Sequence, residues 1–281
     1  MSTSPGLFSD FGKTATDILT KNYGTEHKIF LRLPTSKFNG LTVGSSLLKK
    51  GGISAGGFAG QCNYNYKYKN SSVDFNAVVD SNNIAATVTL ADILPITKTN
   101  VKCWFPDYNN TGKIEVQFLP EYTSLTTSVD LKKSPNVDIS ATIGTPVIAI
   151  GSSLKVNSCA VTEYNVGVNL TKPNYGASVI LADKGDTVKA TYCHQVQENR
   201  AVAVGIARKL STKENTLTVG GEYVINPHTL VKAKLNNHGT LDTLLHHEVL
   251  PMTFLTLSGS VDTLAEEEKR PRIGLALSIN P

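Results

Sequence analysis

The chain has 281 residues, 40% of them hydrophobic and 18% charged, and 27 basic against 23 acidic side chains leave a formal charge of +4 at pH 7. With a mean hydropathy of -0.10 this composition excludes the disordered class, and so mild a positive excess excludes a dedicated nucleic-acid binder with its clustered basic face. No apolar run reaches the ~18 residues of a membrane-spanning helix, a test that is blind to β-barrels because their strands are only half apolar.

The first predicted element is an amphipathic helix. Leu7, Phe8, Phe11, Ala15, Ile18 and Leu19 gather within roughly 120 degrees of a helical wheel, and Asp10, Lys13, Asp17, Thr20 and Lys21 occupy the rest. Ser4 is placed to cap it with Pro5 at the first helical position, and Lys21 followed by Gly24 makes an end. A mitochondrial transit peptide is the rival reading. Such peptides are Arg-rich and acid-poor, whereas this segment carries Asp10 and Asp17 and no arginine before Arg32, so the helix is expected to stay. No cleavable leader is expected either. Residues 1–24 are read as the helix segment and residues 25–281 as an all-β body.

From Lys28 onward the period changes to two. Tyr64, Tyr66 and Tyr68 alternate with Asn63, Asn65, Lys67 and Lys69, and Ile114, Val116 and Phe118 with Lys113, Glu115 and Gln117. Val137, Ile139 and Ile143 alternate with Asp138, Ser140 and Thr142, then Val166, Val168 and Leu170 with Asn165, Gly167 and Asn169. Val188, Ala190 and Tyr192 oppose Thr187, Lys189 and Thr191, while Val202, Val204 and Ile206 oppose the small residues Ala201, Ala203 and Gly205. Val231, Ala233 and Leu235 oppose Lys232, Lys234 and Asn236. In the last segment Ile273, Leu275, Leu277 and Ile279 share one face and Arg272, Gly274, Ala276 and Ser278 the other. A strand turns alternate side chains to opposite faces, so each segment presents one apolar and one polar wall.

A solvated outer sheet face and the lumen of a membrane barrel both produce this pattern. The segments recur about every 10 to 15 residues, too many short strands for one ordinary sandwich. A large closed sheet or two soluble β domains remain, the second as a lectin-like binding protein whose apolar faces pack against each other.

Catalytic and metal signals are weak. Gly6 and Gly12-Lys13-Thr14 are one residue too far apart for a phosphate-binding loop and follow no strand. His246 and His247 are adjacent, so on a strand they point to opposite faces and cannot share an ion without a bulge. The glycines from Gly51 to Gly60 fit no dinucleotide fingerprint. Cys62, Cys103, Cys159 and Cys193 lie too far apart for a zinc site or a dense disulfide framework and are expected as free thiols. The sequons at Asn70, Asn109 and Asn169 are read as chance matches. An enzyme is not indicated, and no cofactor or metal is expected.

Two stretches carry a resemblance. Gly6 to Tyr23, with Phe8, Phe11, Gly12-Lys13, Asp17 and Lys21, resembles the N-terminal helix of the mitochondrial porins, the voltage-dependent anion channels, with the plant branch most similar. Tyr223 to Asn237, with Asn226-Pro227, Thr229, Ala233 and Lys234, resembles the eukaryotic porin signature, and the ending with Arg272, Gly274, Leu277 and Ile279 is similar to the family's barrel-insertion signal. The signature usually has Asp where Asn226 stands and small or apolar residues where Asp242 and Thr243 stand. The family's Gly-Leu-Lys triplet, tied to nucleotide contact, is missing near Leu94 to Lys98, and no acid stands in register near Phe75-Asn76-Ala77.

The resemblance implies a transmembrane β-barrel of about 19 strands, a number for which this family is itself the known case, with the helix inside the lumen. Leu7, Phe11 and Ile18 would rest on the wall, and Lys13 and Lys21 would narrow and charge the pore. The implied function is a voltage-gated, weakly anion-selective diffusion pore for small hydrophilic metabolites and ATP/ADP in the mitochondrial outer membrane. On the inward parity Lys98, Lys102, Lys113, Lys189, Lys232 and Lys234 outnumber Asp74, Glu115 and Asp138, which would concentrate anions. The implied partners are the lipid bilayer and the permeating anions and nucleotides, with homo-oligomers and docked cytosolic enzymes as further options.

Overall fold

The computed structural model describes residues 4–24, 27–34, 41–49, 56–68, 71–80, 84–91, 96–105, 112–132, 134–158, 160–264 and 271–279. Cys159, Asn70, residues 109–111, residues 51–55 and residues 94–95 of the features above lie outside them.

A 3-10 turn at Phe8–Asp10 and the helix α1 (Lys13–Thr20) precede the strands. These are β1 (His27–Pro34), β2 (Leu41–Lys49), β3 (Gly56–Tyr68), β4 (Ser71–Asp80), β5 (Ile84–Ala91), β6 (Thr97–Phe105) and β7 (Gly112–Phe118). Next come β8 (Thr123–Asp130), β9 (Asn136–Gly144), β10 (Ile148–Asn157), β11 (Ala160–Thr171), β12 (Tyr175–Ala182) and β13 (Thr187–Gln197). The last are β14 (Arg200–Lys209), β15 (Asn215–Asn226), β16 (Thr229–Asn236), β17 (Thr240–Leu250), β18 (Thr253–Asp262) and β19 (Arg272–Ile279).

Among the described residues these nineteen strands form one sheet in chain order, each antiparallel to the next. In such a meander an odd strand number makes the first and last strands run the same way. β1 accordingly closes on β19 in parallel, with Ile29 opposite Leu277 and Leu31 opposite Ile279. Closure leaves no edge, the condition for a sheet whose outside faces hydrocarbon instead of water.

Burial fixes which face is which. On β14, Val202 and Ile206 are 45% and 47% exposed, while Ala201 and Ala203 between them are 4% and 0% exposed because α1 lies over them. The helix is inside, so Ala201, Ala203 and Gly205 face the lumen and the valines and isoleucine face outward. Strand pairing carries the assignment around the ring, since directly opposed residues share a face. The register shifts lie at Lys155/Val156, Gln195/Gln197, Val224/Asn226 and Glu248/Leu250, all near strand ends, so parity survives through the strand bodies.

The N-terminal segment departs from the sequence expectation of one helix capped by Ser4 and started by Pro5. Gly12 interrupts it at φ 67, and α1 begins only at Lys13. The interruption has a steric cause: the backbone approaches the wall so closely that a Cβ on Gly12 would collide with the hydroxyls of Ser178 and Thr191. The Gly12 N–H donates to Asn169 Oδ1 at 3.3 Å instead of entering a helix. The Gly12 carbonyl then accepts from the Thr16 N–H at 3.0 Å, opening α1.

Candidate functional site

Eight helical residues are too few to hold together in water, so α1 depends on its seat. The apolar stripe supplies it. Ala15, Ile18 and Leu19 are buried with Cys193, Ala201 and Ala203 in one cluster. The wall beneath is built of small side chains: a Cβ on Gly220 would stand 2.9 Å from Leu19 Cδ2, and one on Gly151 would stand 2.7 Å from Phe8 Cδ2. Phe11 is buried and Leu7 half-buried. Polar ties pin the segment along its length: Ser124 Oγ donates to the Gly6 carbonyl at 2.7 Å, and Ser258 Oγ donates to the Gly24 carbonyl. It therefore runs along the inner wall from β8 to β18.

The polar parity of the strands lines the remaining lumen. Lys232 Nζ lies 2.8 Å from Glu222 Oε2, with the lysine side chain only 7% exposed. Lys234 Nζ lies 3.2 Å from Asp242 Oδ2. Lys113 Nζ lies 3.2 Å from Asp138 Oδ2 and 4.0 Å from Asp130 Oδ1. On the segment itself Lys13 pairs with Asp10 at 3.0 Å and Lys21 with Asp17 at 4.0 Å, both exposed. Among the described residues Lys98, Lys102 and Lys189 have no such carboxylate partner, and all three are exposed.

Lysines are not the whole of the inward parity: among the carboxylates that the register places on the same face, four besides Asp138 stand opposite a lysine. Asp130 is opposite Lys113, Glu163 opposite Lys155, Glu222 opposite Lys232 and Asp242 opposite Lys234. Lys155 is itself a further inward cation. The signal was in the sequence: Glu222 stands between outward Val219 and Tyr223 by parity, and Asp242 between Leu241 and Leu245. The departures from the porin signature also find a place here. Asn226 Oδ1 accepts the His228 N–H at 3.0 Å, a turn bond that an aspartate oxygen makes equally well. Asp242 is the partner of Lys234.

His246 and His247 sit near the end of β17 on opposite faces, bonded to Thr256 and Thr229 respectively. No cluster of metal ligands occurs among the described residues. At the closing strand Gly274 is opposite Ser258 on the inner face, and Leu277 and Ile279 join the outer apolar face with β1, while Arg272 is exposed.

A closed sheet that is apolar outside, polar and charged inside, and holds its own N-terminal segment against the inner wall is a transmembrane β-barrel pore. The apolar faces of the strands lie on the outside and do not pack against a second sheet, which removes the soluble two-domain reading. The eukaryotic porin profile matches residues 4–274, and the chain belongs to that family. It is 47% identical to mitochondrial outer membrane protein porin 2 of Arabidopsis thaliana, over 100% of both chains. It is 43% identical to mitochondrial outer membrane protein porin 5 of Oryza sativa subsp. japonica, over 99% of this chain and 98% of that one. A solved mutant porin of Rh. blastica is 11% identical with a TM-score of 0.43, covering 79% of this chain and 86% of that one.

Proposed function

We propose that the chain is a diffusion pore of the mitochondrial outer membrane that passes small hydrophilic metabolites and ATP/ADP, is weakly anion-selective, and closes with voltage. The observation that carries this reading is a closed barrel whose lumen exposes Lys98, Lys102 and Lys189, which have no carboxylate partner among the described residues. A ring this wide cannot be filled by its own side chains and holds water. In that water paired charges largely cancel, and the unpaired lysines set a positive local potential that enriches anions. Pairing elsewhere in the lumen keeps the preference weak.

In this reading residues 1–24 act as the lumenal regulatory segment and residues 25–281 as the conducting wall. Voltage dependence then follows from charged groups on a segment held by a shallow seat and a few hydrogen bonds. Self-association and docking of cytosolic enzymes belong to the same reading on family grounds. The test is single-channel recording in a planar bilayer under a KCl gradient. A large conductance with a reversal potential on the anion side and partial closure at both polarities supports the proposal. Protein that stays folded in the absence of detergent and never inserts refutes it.

A further inference from the structure

We propose that the outer face of the barrel carries a binding site for the headgroup of an anionic phospholipid, built by Lys172, Tyr175, His194, Arg200 and Tyr223 at one end of β12 to β15. The proposal rests on the reading of the chain as a membrane-spanning pore. Strand register brings these residues together. Tyr175 is opposite His194, His194 is opposite Val202, and Arg200 lies two residues along β14 from Val202 and opposite Tyr223. Val202 is outward-facing, so His194, Arg200, Tyr223 and Tyr175 share the outward parity. All stand beside the turns at 172–174, 198–199 and 227–228, hence at one rim, where the hydrocarbon meets the headgroups.

The cations are held on aromatic faces. The Arg200 guanidinium carbon lies 4.7 Å from the Tyr223 ring centroid, with Nη2 3.5 Å from the Tyr223 hydroxyl. Lys172 Nζ lies 5.3 Å from the Tyr175 centroid. Tyr192 extends the platform, its ring stacked on His194 at 6.5 Å. Stacking orients a guanidinium and uses its face, leaving the in-plane N–H donors of Arg200 other than the one on the Tyr223 hydroxyl unspent. No carboxylate among the described residues lies within 4.0 Å of Arg200 or Lys172, and Glu198, the acid of the adjoining turn, makes no ion pair with either. Two exposed cations with free donors, on tyrosines at the depth where tyrosine prefers to sit, complement a phosphodiester with net negative charge. Zwitterionic headgroups satisfy the phosphate contact but bring an ammonium against the same two cations.

The experiment uses the full chain reconstituted in nanodiscs of phosphatidylcholine doped with phosphatidylglycerol, released and examined by native mass spectrometry for retained lipid. Wild type is expected to retain phosphatidylglycerol over phosphatidylcholine. Lys172→Gln and Arg200→Gln each reduce that retention on the order of fivefold, the equivalent of one cation near a membrane surface. Arg200→Lys keeps the charge without the planar fork and falls between. Arg208→Gln is the control, because Arg208 shares the outward parity at the opposite end of β14 and has no aromatic partner among the described residues. Unchanged single-channel conductance verifies that each variant is folded; if a glutamine variant does not form channels, Arg200→Lys alone decides. Equal retention of both lipids, an equal loss in Arg208→Gln, wild-type retention in the variants, or displacement of the lipid by inorganic phosphate overturns the proposal.

Discussion

Lys234 holds two partners from distant parts of the chain: its ammonium lies 3.2 Å from Asp242 Oδ2 and 4.6 Å from the centroid of the Tyr23 ring. Tyr23 lies three residues beyond the end of α1, so this contact clasps the C-terminal end of the helix to β16 while Ser258 holds the next residue, Gly24. The clasp lies beside the ion pairs Lys234–Asp242 and Lys232–Glu222. Burial first, then the negative charges of Asp242 and Glu222, push the Tyr23 phenol from its ordinary 10.0 up to about 12.

A pH dependence follows from that shift. The folded chain favours the neutral phenol, so the clasp is intact below pH 10.0 and is lost as pH climbs toward 12, where a phenolate would face two carboxylates. The phenolate absorbance that disappears in Tyr23→Phe should titrate about two units above that of an exposed tyrosine. A midpoint at the ordinary value would show that the ring is not seated against β16.

The seat of α1 gives a second prediction. Ala203 is fully covered by the helix, with no space for further atoms. Ala203→Leu should overpack the contact by ~1–3 kcal/mol, and the cheapest relief is displacement of α1 and not of the barrel. Protease attack near Lys13 and Lys21 in lipid should accelerate severalfold while the strands remain protected. Gly205→Ala is the mild counterpart, because its new Cβ would stand 3.2 Å from Leu19 Cδ1, the far end of a side chain. Equal protection of the N-terminus in wild type and Ala203→Leu would mean that the stripe does not anchor the segment.

The wall was legible in the sequence because parity is a local property. Most strand bodies from β7 to β19 keep the alternation, with exceptions such as inward Leu244 and outward Thr243 on β17, and the bulges that invert parity fall near the ends. The interruption at Gly12 was not legible. Its cause is contact with Ser178 and Thr191, more than 160 residues away in the chain, which no helical wheel contains. Charge pairing was half legible: parity puts Lys232 and Glu222 on one face, but only register puts them opposite each other. Nor could composition distinguish Lys189, which has no carboxylate partner among the described residues, from Lys232, which is spent on Glu222.

One turn clasp outside the strands sets an acid limit. Asp186, between β12 and β13, accepts from the Ser211 hydroxyl at 2.6 Å and from the Ser211 N–H at 2.7 Å, joining it to the turn between β14 and β15. The Ser211 hydroxyl bond leads in holding its carboxyl below the ordinary 3.8, against a weaker opposing effect of burial. A depressed carboxyl contributes stability above its ordinary value and loses it as pH falls through the lower, folded one. Amide exchange of the 211–214 turn should therefore accelerate below pH 3.8 in wild type and be fast at neutral pH in Asp186→Ala. Identical exchange in both proteins at neutral pH would leave the clasp without a role.

Selectivity separates free from paired lysines. Lys189→Gln removes an uncompensated charge from the lumen and should move the reversal potential in a KCl gradient toward the cation side. The exchange Glu222→Lys with Lys232→Glu reverses a pair 2.8 Å apart, a displacement far below the ~8 Å Debye length of physiological salt, and should leave selectivity where it was. Asp242→Asn acts in the opposite sense from Lys189→Gln: it releases Lys234 at a stability cost of about 1 kcal/mol and should make the pore more anion-selective. That substitution also tests why an acid stands where the porin signature has small or apolar residues, because a pore tuned toward weak selectivity needs the carboxylate and a stronger anion pore does not. If Lys189→Gln and the charge exchange shift the reversal potential equally, pairing does not decide which lysines the permeating ions sense, and the lumen acts through its total charge alone.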